Sequence, residues 1–271
     1  MDKQHGSTTA LTIAGSDSGG GAGIQADLKT FHAFGVFGTS AITAITVQNT
    51  RGVSGVHPVP LDIVTAQITA VADDLPPAAC KTGMLATREL VSAVAASIRS
   101  HRLPNYVLDP VMVATSGDRL LEEDAQNAVL DELVPLCALV TPNLDEAAIL
   151  AGFAVKTVDD MHRAARRLIA AGARAALVKG GHLRSDELVD VLYDGTSGRE
   201  FRWPRIATRN THGTGCTLSA AITALLARGA SLDTAVEQAL DFVHRAIAQA
   251  PNLGAGSGPL NHFVPVHSER Q

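Results

Sequence analysis

Short apolar runs rich in β-branched residues alternate along the chain with longer stretches whose apolar residues recur every three or four positions. The short runs predict strands over Ala10–Ala14, Ala41–Val47, Ala78–Lys81, Tyr106–Leu108, Ala138–Val140 and Ala175–Val178. The longer stretches predict helices near residues 22–34, 62–73, 87–101, 122–134, 157–171, 215–228 and 232–249. Because alternating strands and helices build parallel sheets, we expect an α/β fold with a mostly parallel central sheet and helices on both faces.

A hairpin is predicted after the last of these strands. Two β-rich runs, Leu188–Tyr193 and Glu200–Trp203, are separated by the turn Asp194–Gly198, which suits a small hairpin at one edge of the sheet. No internal repeat and no linker-like segment divides the 271 residues, so we expect a single domain over residues 1–271. The polar residues 1–9 are expected to be disordered.

Composition and charge narrow the possible functions. The chain is 46% hydrophobic and only 4% aromatic, as expected for buried parallel strands covered by Ala-rich helices. A net charge of −5 and the lack of basic runs argue against nucleic-acid binding. No apolar run is long enough to cross a bilayer, and the polar N-terminus does not resemble a signal peptide, so we expect a cytoplasmic protein. Cys80, Cys137 and Cys216 are too widely spaced to indicate a disulfide framework or a zinc site.

The segment Asn210–Cys216, NTHGTGC, stands directly before an apolar helical stretch. Gly213, Thr214 and Gly215 are therefore expected at a helix N-terminus, where unpaired backbone N–H groups stabilise an anion such as a phosphoryl group. A cysteine in the same turn is expected to have a lowered pKa, which makes Cys216 a candidate base. The alternative is a glycine turn before a buried helix, with Cys216 as a small hydrophobic residue.

Polar residues follow the predicted strands at their carboxyl ends, where open α/β sheets bind their ligands. These polar segments are Gly15–Gly23, Gln48–Asn49, Asp109–Pro110, Thr141–Asn143 and Lys179–His182. Because the carboxyl ends of parallel strands lie at one edge of the sheet, we expect the five segments to converge on one cleft.

Several common nucleotide and metal motifs are incomplete or absent. Gly21–Ala26 fits the G-x-G-x-x-A variant of the dinucleotide fingerprint, but Ala41–Thr50 lacks the acidic residue that would hold the ribose. The dipeptide Gly-Lys does not occur in the chain, which excludes a P-loop. H-E-x-x-H is absent as well, so a zinc hydrolase is not indicated.

A kinase without a P-loop needs an anion hole, a magnesium carboxylate and a residue that orients or deprotonates the acceptor hydroxyl. Asn143 and Glu146 are three residues apart at the predicted start of a helix, so their side chains face the same way. Magnesium prefers few carboxylates and several retained waters, which suits Glu146 and Asp109 as its ligands. Helix capping by Asn143, with Glu146 as its capping-box partner, explains the same pair equally well.

Eight stretches carry a resemblance to a known family. They are AGSDSGGGAGIQADLKTF at 14–31, AITVQNT at 44–50, KTGML at 81–85, LDPVMVATSG at 108–117, TPNLDEA at 141–147, VKGGH at 178–182, NTHGTGCTLSAAI at 210–222 and GPLNHF at 258–263. On these the chain resembles the bacterial hydroxymethylpyrimidine and phosphomethylpyrimidine kinases of the ribokinase superfamily. The resemblance implies one ribokinase-like α/β domain that uses ATP and Mg²⁺. It also implies a homodimer, which we expect to form through the edge hairpin.

The reaction implied by this resemblance is phosphorylation of 4-amino-5-hydroxymethyl-2-methylpyrimidine and then of its monophosphate, on the route to thiamine diphosphate. At the matching positions, Gln48 recognises the aminopyrimidine and Gly15 contacts the ring through its backbone. Met84 and Val111 form apolar walls around the ring; taken alone, both residues are better explained by ordinary core packing, and only the motif context favours the walls. Asp27 is expected either to face the substrate or to be a solvated helix residue.

Cys216 takes the place where most ribokinase relatives carry an aspartate base, a substitution typical of this branch. The resemblance further assigns phosphate or ribose contacts to Lys179 and Thr208, and it places Asn143 near the metal and the nucleotide. His212 beside the anion turn is expected to contact phosphate or to make a hydrogen bond within the loop. The chain departs from the family at Thr115, where a lysine is frequent, so a direct charge contact to phosphate is lost there; His182 is one guess for a compensating group.

Two other functions remain open on the sequence. A pyridoxal kinase of the same branch shares the G-T-G-C turn and a similar ring pocket, while Gln48 together with Met84 favours the pyrimidine. A catalytically silent binding protein with the same fold is the alternative of a different class. The glycine run Gly254–Gly258 is expected to be either a mobile flap over the nucleotide or a loop that pins the C-terminus.

Overall fold

The structure is a computed structural model that describes residues 8–112, 123–181 and 187–266. Within these residues nine strands form one sheet. Numbered along the chain, they are β1 Thr9–Ser16, β2 Phe37–Asn49, β3 Gly52–Pro58, β4 Ala79–Thr82, β5 Tyr106–Leu108, β6 Leu139–Val140, β7 Ala176–Val178, β8 Glu187–Tyr193 and β9 Gly198–Pro204.

The eight described α-helices are α1 Gly23–Ala33, α2 Leu61–Asp74, α3 Arg88–Ser100, α4 Glu123–Ala128, α5 Leu144–Ala151, α6 Val158–Ala170, α7 Thr214–Ala227 and α8 Leu232–Ala248. Seven of them lie at the predicted amphipathic stretches, and α5 begins at the helix start predicted at Asn143–Glu146. The helix predicted near 122–134 changes its geometry, because α4 passes into a π-helical turn at Val129–Leu133 and a 3₁₀ turn at Val134–Leu136. Pro135 has no backbone N–H to donate, which favours the end of the helix here.

The strands lie in the order β3-β2-β1-β4-β5-β6-β7-β8-β9. Six neighbouring strands are parallel, namely β2, β1, β4, β5, β6 and β7. Strands β3, β8 and β9 pair antiparallel with their neighbours. This confirms the predicted α/β class, the mostly parallel sheet and the edge hairpin β8–β9. Strand β3 at the opposite edge was not predicted, because none of its residues is buried and the segment lacks an apolar alternation.

Hydrophobic clusters cover the two faces of the sheet. In β1, Leu11 and Ile13 belong to the cluster with α2, α3, α5 and α6, whereas Ala10 belongs to the cluster with α1, α7 and α8. Alternate residues of a strand point to opposite faces, so this division places helices on both sides of the sheet, as predicted.

The N-terminal boundary differs in part from expectation. Thr9 was expected to be disordered with the rest of residues 1–9, but it is the first residue of β1. The strand begins here because Phe37 N–H donates to the carbonyl oxygen of Thr8 at 2.8 Å, which extends the pairing with β2. Residues 1–7 lie outside the described residues. Among the helices of the described part, none has the length and apolarity needed to span a membrane.

Candidate active site

A cavity of about 680 Å³ lies beyond the carboxyl ends of the parallel strands. Its size falls within the range of roughly 300–1,000 Å³ that small-molecule sites occupy. All of the predicted site residues except Asp27 line it, namely Gly15, Gln48, Met84, Asp109, Val111, Asn143, Glu146, Lys179, Thr208, His212, Gly213, Thr214, Gly215 and Cys216. The expected convergence of the strand ends on one cleft is therefore found.

Asp27 is the exception, and both expectations for it are wrong. Its side chain in α1 is fully buried, accepts a hydrogen bond from Thr12 Oγ1 at 2.6 Å and forms an ion pair with Lys81 Nζ at 2.8 Å. Burial raises the pKa of Asp27, while the Lys81 ammonium opposes this rise. Asp27 is therefore neither a substrate contact nor a solvated residue, and it holds a buried charge pair between α1 and β4.

Asp17, which the sequence did not single out, organises the first glycine loop. Its carboxylate accepts hydrogen bonds from the backbone N–H groups of Gly19 at 2.8 Å, Gly21 at 3.0 Å and Ala22 at 2.8 Å. It also lies 2.9 Å from Nε2 of His212 in the anion turn. Burial works against the charge of Asp17, but these donors outweigh it and lower the pKa. His212 was expected to contact phosphate or to make a structural hydrogen bond. The structure has such a hydrogen bond, with Asp17 of the first glycine loop as the partner.

The first glycine loop and the anion turn are in direct contact. Gly213 is the N-cap of α7 with φ +80°, and a Cβ at this position would overlap the carbonyl oxygen of Gly21. A Cβ on Gly21 would in turn come within 2.6 Å of His212 Cδ2. Only glycine satisfies both the left-handed backbone at Gly213 and the close approach.

Helix α7 begins at Thr214, as the apolar pattern predicted. The N–H of Thr214 donates to Thr211 O at 3.3 Å, within the turn. Gly215 and Cys216 follow in the first helical turn, whose N–H groups have no acceptors inside the helix, and both residues line the cavity. Their N–H groups are thus available for an anion.

The expected pKa of Cys216 is wrong in direction. Burial raises the pKa of this thiol to about 12, and the carboxylates of Asp27 and Asp109 act in the same direction. The Lys81 ammonium and a hydrogen bond from the Gly23 N–H lower it, but they do not compensate. Loss of water around the thiol therefore outweighs the field of the helix N-terminus, and the protein without ligands carries the protonated thiol.

Asp109 follows β5 and lies in a dense polar cluster at the base of the cavity. It is 1% exposed and accepts from Lys179 Nζ at 3.2 Å, from Ser219 Oγ at 3.2 Å and from Thr141 Oγ1 at 3.5 Å. The Lys179 ammonium compensates the charge of the Asp109 carboxylate.

Glu146 combines helix capping with a place in the cavity. Asn143 N–H donates to Glu146 Oε2 at 2.8 Å, and Glu146 N–H donates to Asn143 Oδ1 at 2.9 Å, which completes the capping box of α5. Burial raises the pKa of Glu146 to about 7, opposed by Lys179 and reinforced by the neighbouring charge of Asp109. The capping alternative is therefore realised, and it leaves the carboxylate on the cavity wall.

In the described ranges, no group of three or more His, Cys, Asp and Glu residues is arranged to hold a metal.

The residues predicted to contact a ring lie at the carboxyl ends of β1, β2, β4 and β5. Gln48 is held through its backbone, because its N–H donates to Ser18 Oγ at 2.8 Å and its carbonyl accepts from the same hydroxyl at 2.7 Å. Met84 is 9% exposed, and a Cβ on Gly15 would come within 2.6 Å of its Cε. Gly15 thus leaves space for Met84 to form the wall.

Sequence reasoning missed the far end of the cavity. Trp203 of β9 stacks on His244 of α8, with ring centroids 5.1 Å apart and an interplanar angle of 29°. These aromatic rings lie near an apolar group of lining residues formed by Leu188, Leu240, Val243 and Ile247. They come from an edge hairpin and the C-terminal helix without a shared motif, so no local signal connects them.

Thr115 and His182 lie outside the described residues.

The glycine run Gly254–Gly258 contacts both the substrate side and the anion turn. Ser257 N–H donates to Thr50 O at 2.8 Å, and His212 N–H donates to Gly258 O at 3.1 Å. The run thereby holds the backbone of His212, whose ring contacts Asp17.

Comparisons with known proteins agree with this arrangement. A family model described as phosphomethylpyrimidine kinase matches residues 17–261. A curated hydroxymethylpyrimidine/phosphomethylpyrimidine kinase of Rhizobium meliloti is 54% identical over 257 residues, which cover 94% of this chain and 96% of that protein.

Solved structures with similar folds come from the same group of kinases. An ADP complex of Bacillus subtilis pyridoxal kinase is 42% identical with a TM-score of 0.89, covering 95% of this chain and 98% of that one. A phosphomethylpyrimidine kinase of Clostridium difficile is 40% identical with a TM-score of 0.80, covering 89% and 99%. With the matched motifs gathered around one cavity, these similarities show that the chain belongs to the phosphomethylpyrimidine kinase family.

Proposed function

We propose that the protein phosphorylates 4-amino-5-hydroxymethyl-2-methylpyrimidine and then its monophosphate, with ATP as phosphoryl donor, for thiamine diphosphate biosynthesis. The observation that carries this proposal is the position of the glycine turn of α7. Helix α7 packs against β1, β4 and β5, which lie in the sheet between β2 with Gln48 and β9 with Trp203. A transferred phosphoryl group at this turn would have its acceptor on the Gln48 side and its donor on the Trp203 side. The curated relatives named for this activity support the assignment.

ATP is proposed to lie toward the Trp203 end of the cavity. The stacked Trp203 and His244 rings offer an apolar surface for a base, and Lys179 offers a positive charge between that end and the anion turn. Thr208 lines the cavity in the same part of the chain, and its Oγ1 accepts a hydrogen bond from Asn210 N–H at 3.1 Å. The ADP complex of the Bacillus subtilis relative supports a nucleotide in this fold.

Glu146 and Asp109 fit a magnesium ion. Both are oxygen donors on the same cavity wall, and the raised pKa of Glu146, caused chiefly by burial and also by the charge of Asp109, marks a place where a cation would relieve repulsion. Two carboxylates leave most of the coordination positions of the ion to water and phosphate oxygens, as Mg²⁺ prefers. When bound, the ion neutralises negative charge on the phosphates. Asn143 then acts by holding Glu146 in place.

The side chains of this chain have distinct tasks in the proposed reaction. Gln48, Met84 and Val111 hold the ring, and the first-turn N–H groups of Gly215 and Cys216 stabilise the phosphoryl oxygens. In its thiolate form, which is the minor form at neutral pH, Cys216 accepts the proton of the alcohol in the first phosphorylation. The acceptor of the second phosphorylation is already an anion, so it needs positioning rather than a base.

An assay with three acceptors tests the substrate assignment. Purified protein with ATP and Mg²⁺ is given hydroxymethylpyrimidine, its monophosphate or pyridoxal, and the products are resolved by mass. The proposal expects the pyrimidine mono- and diphosphates. Pyridoxal phosphate as the sole product would transfer the assignment to pyridoxal kinase, and the lack of any product would favour a silent binding protein.

We further propose a cytoplasmic homodimer. The three cysteines are free, and Cys80 and Cys137 are buried as thiols, which suits a reducing compartment. The sequence favours the hairpin β8–β9 as the interface, but its Arg202 is already paired with Glu187 and Glu200 of the same chain. The exposed apolar residues of β2, which lies next to the edge strand β3 at the other end of the sheet, support β2 as the contact between the two copies.

A further inference from the structure

The side-chain amide of Gln48 has a polar neighbour at each end. Oε1 is placed 3.1 Å from Oγ1 of Thr46, and Nε2 is placed 3.4 Å from Nε2 of His212. All three residues line the cavity. The carbonyl end of an amide accepts hydrogen bonds and the NH₂ end donates them, and the surrounding groups decide which end is which.

Thr46 can offer only a lone pair to Gln48. Its Oγ1 lies 2.7 Å from the carbonyl oxygen of Ser16. Two oxygens at this distance share a proton, and the carbonyl has none to give, so the single hydroxyl proton of Thr46 points to Ser16. Because Thr46 has no second proton for Oε1, the Gln48 amide is rotated by 180° from this placement, and its NH₂ group faces Thr46.

His212 leads to the same orientation from the other end. Its Nε2 lies 2.9 Å from Oδ2 of Asp17, whose side chain is 3% exposed. Burial disfavours the ionised form of Asp17, but hydrogen bonds from His212 and from the N–H groups of Ala22 and Gly19 outweigh it and lower the pKa. A carboxylate only accepts, so Nε2 carries a proton in either charge state of the ring. The amide end that faces Nε2 is the carbonyl oxygen.

An amide with its carbonyl oxygen toward Thr46 would be unfavourable at both of its ends. It would bring two acceptors together at Thr46 and two donors together at His212, at the distances given above. The backbone of Gln48 is held as well, by its two hydrogen bonds with Ser18. Movement of the strand end therefore does not relieve the conflict, and only the rotated amide does.

We propose that Thr46 and the Asp17–His212 pair hold the Gln48 amide in one orientation, which makes it a directional reader of the substrate ring. The second NH₂ proton remains available on the Thr46 side, and the second carbonyl lone pair remains available on the His212 side. A ring edge with an acceptor nitrogen next to an amino group matches this pair in one order only, with the nitrogen toward Thr46. The inference deepens the proposed function by naming Thr46 and Asp17 as positioning residues that act through Gln48.

An NMR measurement on the full-length protein without substrate tests the orientation itself. The Gln48 side-chain amide is assigned by its disappearance in Gln48→Ala. We expect its NH₂ protons to show stronger NOEs to the γ-methyl group of Thr46 than to Hε1 of His212. Stronger NOEs to His212, or equal NOEs from a rotating amide, would overturn the proposal. Because no substrate is present, this result does not depend on the proposed function.

Two substitutions at Thr46 test the consequence for specificity. Thr46→Val removes the lone pair at similar volume, and Thr46→Ser keeps it. Loss of one neutral hydrogen bond is expected to raise the KM for hydroxymethylpyrimidine roughly three- to tenfold, with kcat and the KM for ATP changed by less than about twofold. Thr46→Ser should restore the low KM. An unchanged KM in Thr46→Val, or an equal rise in both variants, would overturn the role of Thr46, whereas a wild-type protein inactive on pyrimidines would instead refute the proposed function.

Discussion

At the scale of single residues, the state of one thiol decides how the first phosphorylation can work. Cys216 stands at the N-terminus of α7, which favours a thiolate, yet burial raises its pKa to about 12. A group that acts as a base must first lose its proton, so the reactive form of Cys216 is scarce at neutral pH. Below its pKa, each additional pH unit increases the thiolate tenfold.

The protonated state of the Cys216 thiol predicts a pH dependence that differs between the first and the second phosphorylation. The single-turnover rate of the first phosphorylation should keep rising with pH above 8, because the thiolate of Cys216 grows toward its pKa of about 12. The second phosphorylation, which needs no base, should lack this rise. Rapid-quench measurements from pH 7 to 9 with each acceptor check both profiles. A first step that is flat over this range would contradict the base role.

Cys216→Ser provides an independent check on the same residue. General base catalysis contributes roughly 10²–10⁴-fold, so the variant should slow the first phosphorylation by about 10² or more and the second by much less. Single-turnover rates for both acceptors measure the two effects in one preparation. Equal losses in the two steps would mean that Cys216 serves packing or positioning alone.

At the scale of elements, β8 carries a buried carboxylate with consequences for stability. Asp190 is 4% exposed and accepts from Gly180 N–H at 2.9 Å. Burial raises its pKa from 3.8 to about 6, although the Gly180 N–H and the Lys179 ammonium oppose this rise. Between these two pH values the folded protein keeps a proton that the unfolded chain has lost, so stability falls as the pH rises.

Asp190→Asn should remove this dependence. A difference of about two pKa units corresponds to about 3 kcal/mol over the whole titration, so between pH 4 and pH 6.5 the wild-type protein should lose about 2 kcal/mol more unfolding free energy than the variant. Urea unfolding of both proteins at the two pH values measures the difference, and other titrating groups cancel in the comparison. Parallel pH curves would show that Asp190 is already ionised in the folded protein at pH 4.

Elements with a strong local pattern were predictable, and those shaped by their surroundings were not. The apolar stretch of α7 and the short apolar run of β1 predicted their positions to within a few residues. Strand β3 has no buried face, so its pairing with β2 leaves no trace in the pattern. The π-helical turn after α4 belongs to a stretch that has the periodicity of an ordinary helix.

The same distinction holds within the site. Motif residues around the cavity were found because their types and spacing carry chemistry. Asp27 was misjudged, since its partner Lys81 is distant in sequence and a helix pattern does not show which carboxylate is buried with a lysine. Asp17 and the Trp203–His244 stack were missed for a similar reason, because their partners meet only in the folded protein.

At the scale of the whole molecule, the exposed apolar surface bears on assembly. Ile45 and Val47 of β2 are 52% and 63% exposed, and they lie on the same face because they are two residues apart in a strand. Exposed apolar residues grouped at a sheet edge are typical of interaction surfaces. This face is the one that we propose for the second copy of the chain.

Val47→Asp should therefore shift the protein from dimer to monomer, because an unpaired carboxylate would become buried at the interface. Arg199→Ala on the hairpin β8–β9 is the matched control and should leave the mass unchanged. Light scattering coupled to size-exclusion chromatography measures both variants. A dimer in Val47→Asp together with a monomer in Arg199→Ala would place the interface at the hairpin instead.

The central claim is that one cavity performs two successive phosphorylations, and a single time course tests it most directly. Hydroxymethylpyrimidine is supplied as the only acceptor with ATP and Mg²⁺, and both products are followed by mass. Gly213→Ala is run in parallel because it disturbs the contact between the anion turn and Gly21, and its fold is checked by circular dichroism. The account predicts a monophosphate that rises and then falls as diphosphate accumulates, with both steps lost together in the variant. A monophosphate that accumulates without diphosphate, or a variant that loses only one step, would contradict it.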